Sequence, residues 1–490
     1  MLLSALLNGH VDIIATDDRE ITGLTLDSRM VKPGFVFLAL KGTCESGVAY
    51  IHDAISKGAA AVLTETKEML AVAVPVIQVD HLRAKTGILA ARFYDFPAKK
   101  MRMIGVTGTN GKTSCTHFIA QILQELNEPC GLIGTLGSGF YGALSEPTLT
   151  TPDAVTLQKT LHDFVENGAN AVAMEVSSHS IDQGRVNGVE FEIGVFTNLT
   201  QDHLDYHGTM DAYAAVKRRF LAECFTQHAV LNVDDAHGLK WAIELAMQKS
   251  IFAYGTNSEV LLPSYVPYAF ADRIDLSLDG MSAHIDTPWG KGQLNIPLVG
   301  KFNLSNALAA LSVLCLYGLP FEVVLSQMKQ LKPVPGRMQT LGGNGKPMTV
   351  IDYAHTPDAL DKVLQALREH TQGKLICVFG CGGNRDPDKR PRMAKITEQW
   401  SDQVILTNDN PRHESPEEIA SQIMQGFLHP ERVLVELDRS KAIEKSIQCA
   451  NENDCVLIAG KGAERYQQIG DQKIPFDDVS VAKRCLEITK

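Results

Sequence analysis

The stretch Val106-Thr-Gly-Thr-Asn-Gly-Lys-Thr113 gathers the residue types that hold a phosphate. It lies between a short apolar lead (Met103, Ile104, Val106) and a helical stripe formed by Phe118, Ile119, Ile122, Leu123 and Leu126. A glycine-rich turn at a helix start aims backbone N–H groups and the helix dipole at an anion, Lys112 adds charge, and the Thr113 hydroxyl can ligate Mg²⁺. The strict phosphate-loop pattern has glycine where Val106 stands. What remains is the shorter Gly108-Thr109-Asn110-Gly111-Lys112-Thr113-Ser114. The expectation is a nucleotide site, for ATP, against the bland alternative of a structural turn.

Five further groups are candidates for chemistry. Glu175 ends the apolar run 171–174, where nucleotide-binding folds place a carboxylate for Mg²⁺ or water. The alternative is a carboxylate that caps the Ser177-Ser-His179 turn. Asp202, His203, Asp205 and His207 cluster in the loop 197–207, which suits either a second metal or a purely hydrogen-bonded loop. Lys217 stands beside Arg218 and Arg219 in a helix-period stretch, and the residues alone read as a solvated face. Asp409-Asn410-Pro411-Arg412 follows the apolar run 404–406, and a guanidinium at a strand end suits bidentate recognition of a carboxylate. Arg385 closes Gly380-Cys-Gly-Gly-Asn-Arg385 after a neighbouring apolar run; this glycine cluster lacks the dinucleotide fingerprint.

The elements that must position these groups alternate. Apolar strand candidates fall at 21–26, 35–40, 60–63 and 74–79, with a helix over 46–57 and a linker at 97–100. Strands follow at 171–174, 193–199 and 229–233, and Pro152 and Asp153 open a helix that runs to Asn167. A period-two, antiparallel stretch occupies about 251–299. After a hinge at Val334-Pro-Gly-Arg337 come strands at 348–352, 375–379, 403–406, 433–436 and 455–459. Thr356-Pro-Asp and Ser415-Pro-Glu-Glu418 sign two helix starts. This alternation predicts an α/β protein of three domains, 1–97, 98–333 and 334–490, each a parallel or mixed sheet covered by helices, with sites at strand C-terminal ends.

Composition narrows the function. A chain of 490 residues needs several cores. Its net charge of −11 argues against a nucleic-acid surface and leaves anionic ligands to local Lys and Arg. No apolar run reaches the ~18–20 residues of a membrane span, and the N-terminus lacks the basic start of a secretory signal. The ten Cys contain no C-x-x-C pair, so buried thiols in a reducing compartment are expected, Cys377 and Cys381 included.

Thr107-Gly-Thr-Asn-Gly-Lys-Thr113, Met174-Glu-Val-Ser-Ser-His179, the 197–207 loop, Asn303-Leu-Ser-Asn306, Pro335-Gly-Arg337 and Asp352-Tyr-Ala-His-Thr-Pro-Asp358 run across nearly the whole chain. In this order they resemble the Mur ligases of peptidoglycan assembly. Within that family the 409–412 motif looks like the signature of members that add meso-2,6-diaminopimelate to UDP-MurNAc-L-Ala-D-Glu. Lysine-adding members usually depart from this arginine.

The resemblance implies a central ATPase-like domain, a Rossmann-like C-terminal domain and a cytoplasmic, monomeric ligase. Its partners would be ATP, UDP-MurNAc-L-Ala-D-Glu and meso-diaminopimelate, with no nucleic acid and no membrane. Lys217 falls on the family's carbamylated lysine, a CO₂-derived carboxylate that ligates Mg²⁺. Two Mg²⁺ are implied, one on Thr113 and Glu175, the other on His203 and the Lys217 carbamate. Asn303, Arg337, His355 and Asp358 would line the nucleotide. Thr150, Thr151, Ser177, Gln183 and Arg185 would hold the muropeptide, and Leu26 and Ser28 the uridine. Arg385, Asp409, Asn410, Pro411, Arg412, Gly460 and Glu464 would hold diaminopimelate.

The chain departs from the family in two places. Gly460-Lys-Gly-Ala-Glu464 has Ala463 where a His is usual, and the loop 42–47 lacks the usual Asp-Gly-His. The competing assignments are a lysine-adding ligase, a folylpolyglutamate synthase-like ligase and a non-catalytic ATP-binding relative.

Overall fold

Parallel strands bring their C-terminal ends to a common edge, and this chain builds three sheets that do so. The computed structural model describes all residues except 43–45, 67–71, 146–148, 224–226, 278–279, 344 and 489–490. Part of the uridine-side loop 42–47 therefore lies outside the described residues. Two compact units emerge. The first holds Met1–Tyr254, Glu259–Tyr268 and Ser312–Leu316; the second holds Gly255–Ser258, Ala269–Leu311 and Tyr317–Lys490.

The first unit contains two sheets. Gly23–Thr25, Phe35–Ala39, Ala61–Thr64 and Val76–Gln78 form a four-stranded parallel sheet in sequence order. Leu24, Val36, Leu38 and Leu63 pack there against Leu3, Leu6, Leu82 and Leu89. The larger sheet places the phosphate-loop strand Arg102–Thr107 between Ala171–Glu175 and Ile193–Phe196, all parallel. His228–Asn232 and Ser250–Gly255 extend one side, and Cys130–Gly134 the other. The helix Lys112–Glu125 is buried from Thr113 through Leu123, so it is a core helix rather than an amphipathic one. Gly105 shows how tightly this strand is covered: a Cβ there would lie 2.6 Å from the Phe220 ring and 2.8 Å from that of Phe191.

The second unit contains the antiparallel strands Tyr268–Ser277 (from Ala269 onward), Gly280–Thr287 and Gly290–Ile296. It also contains a six-stranded sheet ordered Gln339–Leu341, Met348–Asp352, Cys455–Ala459, Leu375–Phe379, Gln403–Leu406 and Val433–Val435. All its pairs are parallel except the first. Alternate residues of the central strands feed two separate cores. Val350, Cys377, Phe379, Leu406 and Leu457 face one layer of helices, and Ile351, Ile376, Val378, Ile405 and Ile458 face another. A sheet covered on both faces explains why these strands read as unbroken apolar runs.

Several local expectations change. Asp153, not Pro152, starts the helix Ala154–Glu166: it is the N-cap, and its carboxylate accepts from Val155 N and Thr156 N at 3.0 Å each. The helix expected over 46–57 is a 3₁₀ turn, Gly47–Tyr50, followed by Ile51–Ser56. The linker at 97–100 is a 3₁₀ helix whose Pro97 and Ala98 are buried, so it packs rather than spans. The period-two stretch begins with one parallel strand, Ser250–Gly255, before turning antiparallel. Thr356 and Ser415 cap their helices, accepting from Ala359 N and Glu418 N. Cys377 and Cys381 are buried free thiols.

Candidate active site

Gly108 opens the phosphate loop at φ 147° with its Cα hydrogen against Thr197; a Cβ would sit 1.9 Å from that hydroxyl. Gly111, at φ 86°, is the N-cap of the helix that starts at Lys112. Both positions need glycine. The loop is tied to the next strand end. Asn110 N donates to Asn198 Oδ1 (2.9 Å), Thr109 N to Asn198 O (2.8 Å) and Thr197 Oγ1 to Asn110 O (2.6 Å). Lys112 Nζ folds back onto Gly108 O (2.9 Å) and Thr109 O (2.8 Å). Ser114 follows within the first turn, buried.

Glu175 is 1% exposed. Thr113 Oγ1 donates to its Oε1 at 3.0 Å, Thr135 N to the same oxygen at 2.8 Å, and Thr135 Oγ1 to Oε2 at 3.1 Å. Among the described residues these hydrogen-bond partners are all neutral. A carboxylate and a hydroxyl side by side, with no cation among these partners, leave oxygen donors for a metal ion. Hard oxygen donors from Thr113 and Glu175 therefore fit Mg²⁺. Gly134 makes the room, since a Cβ there would lie 2.3 Å from Glu175 Oε1.

Lys217 is 1% exposed rather than solvated. It shares the buried face of the helix Met210–Glu223 with Tyr213, Phe220 and Leu221. Its Nζ donates to Gly108 O at 2.8 Å and lies 4.7 Å from the Tyr213 ring centroid. Burial, then the charge of Lys112, push its pKa well below the usual lysine range, against the opposing pull of Asp202. A neutral amine is the form that captures CO₂. The site therefore fits a carbamate.

His203 takes a left-handed conformation (φ 53°) before the turn Leu204–His207. Its ring stacks edge-on to His179 at 4.8 Å. Burial lowers its pKa, as do Lys112 and Lys217, with Asp202 opposing. His207 Nε2 pairs with Ser178 Oγ at 2.9 Å. Of the acidic and histidine cluster, Asp202 stays with His203 (3.4 Å), and Asp205 belongs to the first turn of the short helix.

The expected muropeptide residues converge on Glu175. Thr151 Oγ1 donates to Glu175 O (2.8 Å), and Thr150 Oγ1 lies 3.2 Å from Thr135 Oγ1. Ser177 N reaches Thr151 Oγ1 (3.2 Å). Arg185 grips Thr151 O (2.9 Å) through one nitrogen and Gln183 Oε1 through two others (2.9 and 2.5 Å). Leu26 and Ser28 are not part of this group; they follow the first strand of the separate four-stranded sheet.

In the second unit, loops after three adjacent strands carry the 380–385, 409–412 and 460–464 segments. Asp409 and Asn410 are buried. Arg412, at φ 52°, donates from Nη1 to Gly383 O at 2.6 Å. Pro411 O packs on Gly383, where a Cβ would approach to 2.0 Å. Gly460 (φ 115°) clears space for Asp409 Oδ2. Glu464 Oε2 accepts from Asn410 Nδ2 and Lys461 Nζ, both at 2.9 Å. Arg385 is exposed on its loop.

The expected nucleotide residues of this unit fall on neighbouring turns. The Arg337 guanidinium stacks over Tyr353 at 4.4 Å, and His355 Nδ1 bonds Tyr353 O at 2.8 Å. Asp358 pairs with Lys362 at 2.9 Å in the first turn of its helix. Asn303 is buried, with its amide on Val299 O at 2.9 Å.

Residues not anticipated from sequence complete both sites. Thr135, Asn198 and Tyr213 hold the phosphate loop and Glu175, with Tyr213 OH 3.2 Å from Thr109 Oγ1. Lys461, fully buried, links Asn410 and Glu464. Arg439 forms a wholly buried pair with Asp478 and donates to Asn408 O (3.2 Å) and Ala459 O (3.0 Å), which precede the two acidic loops. Lys217 did leave a signal: it sits four residues after Tyr213 and three before Phe220, on an apolar stripe.

A phosphate loop with a buried carboxylate and a buried lysine whose pKa lies well below its usual range, plus an arginine at a strand end of a doubly covered sheet, fits an ATP-using ligase class. Comparison with known proteins agrees. The Mur ligase middle domain matches residues 106–314, the Mur ligase glutamate ligase domain 336–462, and the Mur ligase family catalytic domain 20–94. The chain belongs to the Mur ligase family.

Among its relatives is the UDP-N-acetylmuramoyl-L-alanyl-D-glutamate–2,6-diaminopimelate ligase of Coxiella burnetii, 48% identical, with 96% of each chain covered. The enzyme of the same name from Pseudomonas aeruginosa is also 48% identical at 96% coverage of each. A solved structure of a ligase of that name superposes with a TM-score of 0.73 at 35% identity, covering 99% of both chains. Among the described residues no helix is long and apolar enough to cross a membrane.

Proposed function

We propose that this chain joins meso-2,6-diaminopimelate to the D-Glu side-chain carboxylate of UDP-MurNAc-L-Ala-D-Glu, with ATP cleaved to ADP and phosphate, in peptidoglycan precursor synthesis. The observation that carries the amino-acid choice is Arg412, fixed in Asp409-Asn410-Pro411-Arg412 at a strand C-terminal edge, with Glu464 bonded to Asn410 of the same motif. A guanidinium there pairs with the distal carboxylate of diaminopimelate, and Asp409 and Glu464 suit its ammonium. Lysine would leave the Arg412 guanidinium without a carboxylate partner, at a cost of ~2–5 kcal/mol.

The reaction follows from the chemistry of the groups. A carboxylate is a poor electrophile, so the γ-phosphoryl group passes to the D-Glu side chain as an acyl phosphate. The diaminopimelate amine then attacks its carbonyl, and phosphate leaves. Lys112 and the phosphate-loop amides bind the ATP phosphates and offset repulsion between two anions. Thr113 and Glu175 would hold one Mg²⁺, and His203 with the carbamate of Lys217 the other; bound Mg²⁺ supplies further charge neutralisation. Thr150, Thr151, Ser177, Gln183 and Arg185 orient the acceptor carboxylate toward the phosphate loop. Asn303, Arg337, His355 and Asp358 bind the nucleotide, and Leu26 and Ser28 the uridine. In this assignment 1–97, 98–333 and 334–490 serve uridine, ATP and amino acid, and the enzyme works in the cytoplasm.

ADP release by the purified protein tests this. It should require UDP-MurNAc-L-Ala-D-Glu and diaminopimelate together, with a UDP-linked tripeptide as product. ADP release independent of either substrate would refute it.

A further inference from the structure

The chain after Glu464 forms a hairpin, Tyr466–Ile469 with Gln472–Pro475, that belongs to neither face of the six-stranded sheet. A two-stranded ribbon is marginal alone and leaves an edge of unpaired backbone groups. Here that edge is taken up by the 409–412 loop. Arg412 N donates to Gln468 O at 3.1 Å, and Gly470 N donates to Arg412 O at 2.7 Å. Gln468 N donates to Asn410 Oδ1 at 2.9 Å, and Gln467 Nε2 to Asp409 O at 2.7 Å. Arg412 and Ile469 are paired as an isolated parallel bridge.

The consequence lies in the Arg412 backbone. At φ 52° it occupies the left-handed region, which costs a bulky side chain energy unless its surroundings impose it. Both its main-chain groups are bonded to the hairpin. The side chain direction of Arg412, and so the point where its guanidinium stands, is therefore set by the hairpin as well as by Gly383.

We propose that the 466–475 hairpin is the positioning element of the amino-acid site, with Gln467 and Gln468 as positioning residues that fix Asp409, Asn410 and Arg412 for a substrate bearing a distal carboxylate. This rests on the amino-acid assignment above. Gln467 touches no reacting atom; it acts through the Asp409 carbonyl.

Two variants test it in the full-length protein. Gln467→Met removes the amide donor at similar volume, and Gln468→Pro removes the main-chain donor to Asn410. The KM for diaminopimelate should rise about tenfold in each, the worth of one lost hydrogen bond. The KM for ATP and kcat at saturating diaminopimelate should stay within about twofold. Gln467→Lys, which restores a donor of similar reach, should recover part of the loss.

Hydrogen exchange of the Arg412 and Gly470 amides reads the coupling without any substrate, and both should exchange faster in Gln467→Met. An unchanged KM for diaminopimelate, or an equal loss in every kinetic constant, overturns the proposal. So does unchanged exchange. Wild-type protein that exchanges as expected but releases no ADP with diaminopimelate would instead overturn the amino-acid assignment.

Discussion

Lys217 sets stability against chemistry within one side chain. Its amine is buried, and its pKa lies well below the ordinary lysine value because of that burial and of Lys112. Between the folded-state value and the unfolded value of about 10.4, the unfolded chain binds more protons at this site, so stability rises with pH across that window and the penalty is fully present below it. Lys217→Met should therefore abolish ligation and yet raise the unfolding midpoint in CO₂-free buffer. The gain should shrink as pH rises toward about 10, a trend that melts at several pH values will check. Lys217→Ala should be nearly inactive and partly restored by a small added carboxylate; full unrescued activity would remove the lysine from the mechanism. At the other site, Arg412→Ala should impair use of diaminopimelate far more than ATP binding, and equal losses in the two assays would contradict its assigned role. The phosphate loop was legible as a strand, turn and helix start because its glycines and Lys112 have local, type-specific places. The burial of Lys217 was marked only by the Tyr213–Phe220 stripe, and its two neighbouring arginines suggested solvent.

Elements decide whether those residues can work. Glu175 needs space that the adjacent strand end provides, and Gly134 is that space. Gly134→Ala should displace the carboxylate and cut kcat well over tenfold, on the scale of removing a charge-stabilising group, while far-ultraviolet circular dichroism stays unchanged. The N-cap at Asp153, which holds two backbone amides beside Thr150 and Thr151, makes a separate prediction. Asp153→Ala should cost about 1 kcal/mol of stability, read by denaturant unfolding. Helix starts at Thr356 and Ser415 were readable because capping is local and has a residue code. Pro152 misled: it can begin a helix, but the neighbouring Asp153 satisfies two amides and wins the cap. The 466–475 hairpin is marked in the sequence only by its Gly470-Asp471 turn, while the partners of its outer edge lie more than fifty residues away.

At the scale of the molecule, the sequence pattern announced alternating α/β structure but not strand order. The phosphate-loop strand lies between two strands that come some 70 and 90 residues later, a pairing fixed by three-dimensional packing rather than by any local signal. The doubly covered sheet of the second unit was foreshadowed by its uninterrupted apolar strands, and its two cores confirm why they are uninterrupted. A net charge of −11 places the recognition of anionic substrates on a few local cations. Of these, Arg412 bears the claim that distinguishes this chain from lysine-adding and folate-directed ligases. The most direct test is the ratio of kcat/KM for meso-diaminopimelate to that for L-lysine, read by ADP release with UDP-MurNAc-L-Ala-D-Glu. A penalty of at least ~2 kcal/mol for a guanidinium that loses its carboxylate partner predicts a preference for diaminopimelate of at least about thirtyfold. A ratio near one, or a preference for lysine, would contradict it.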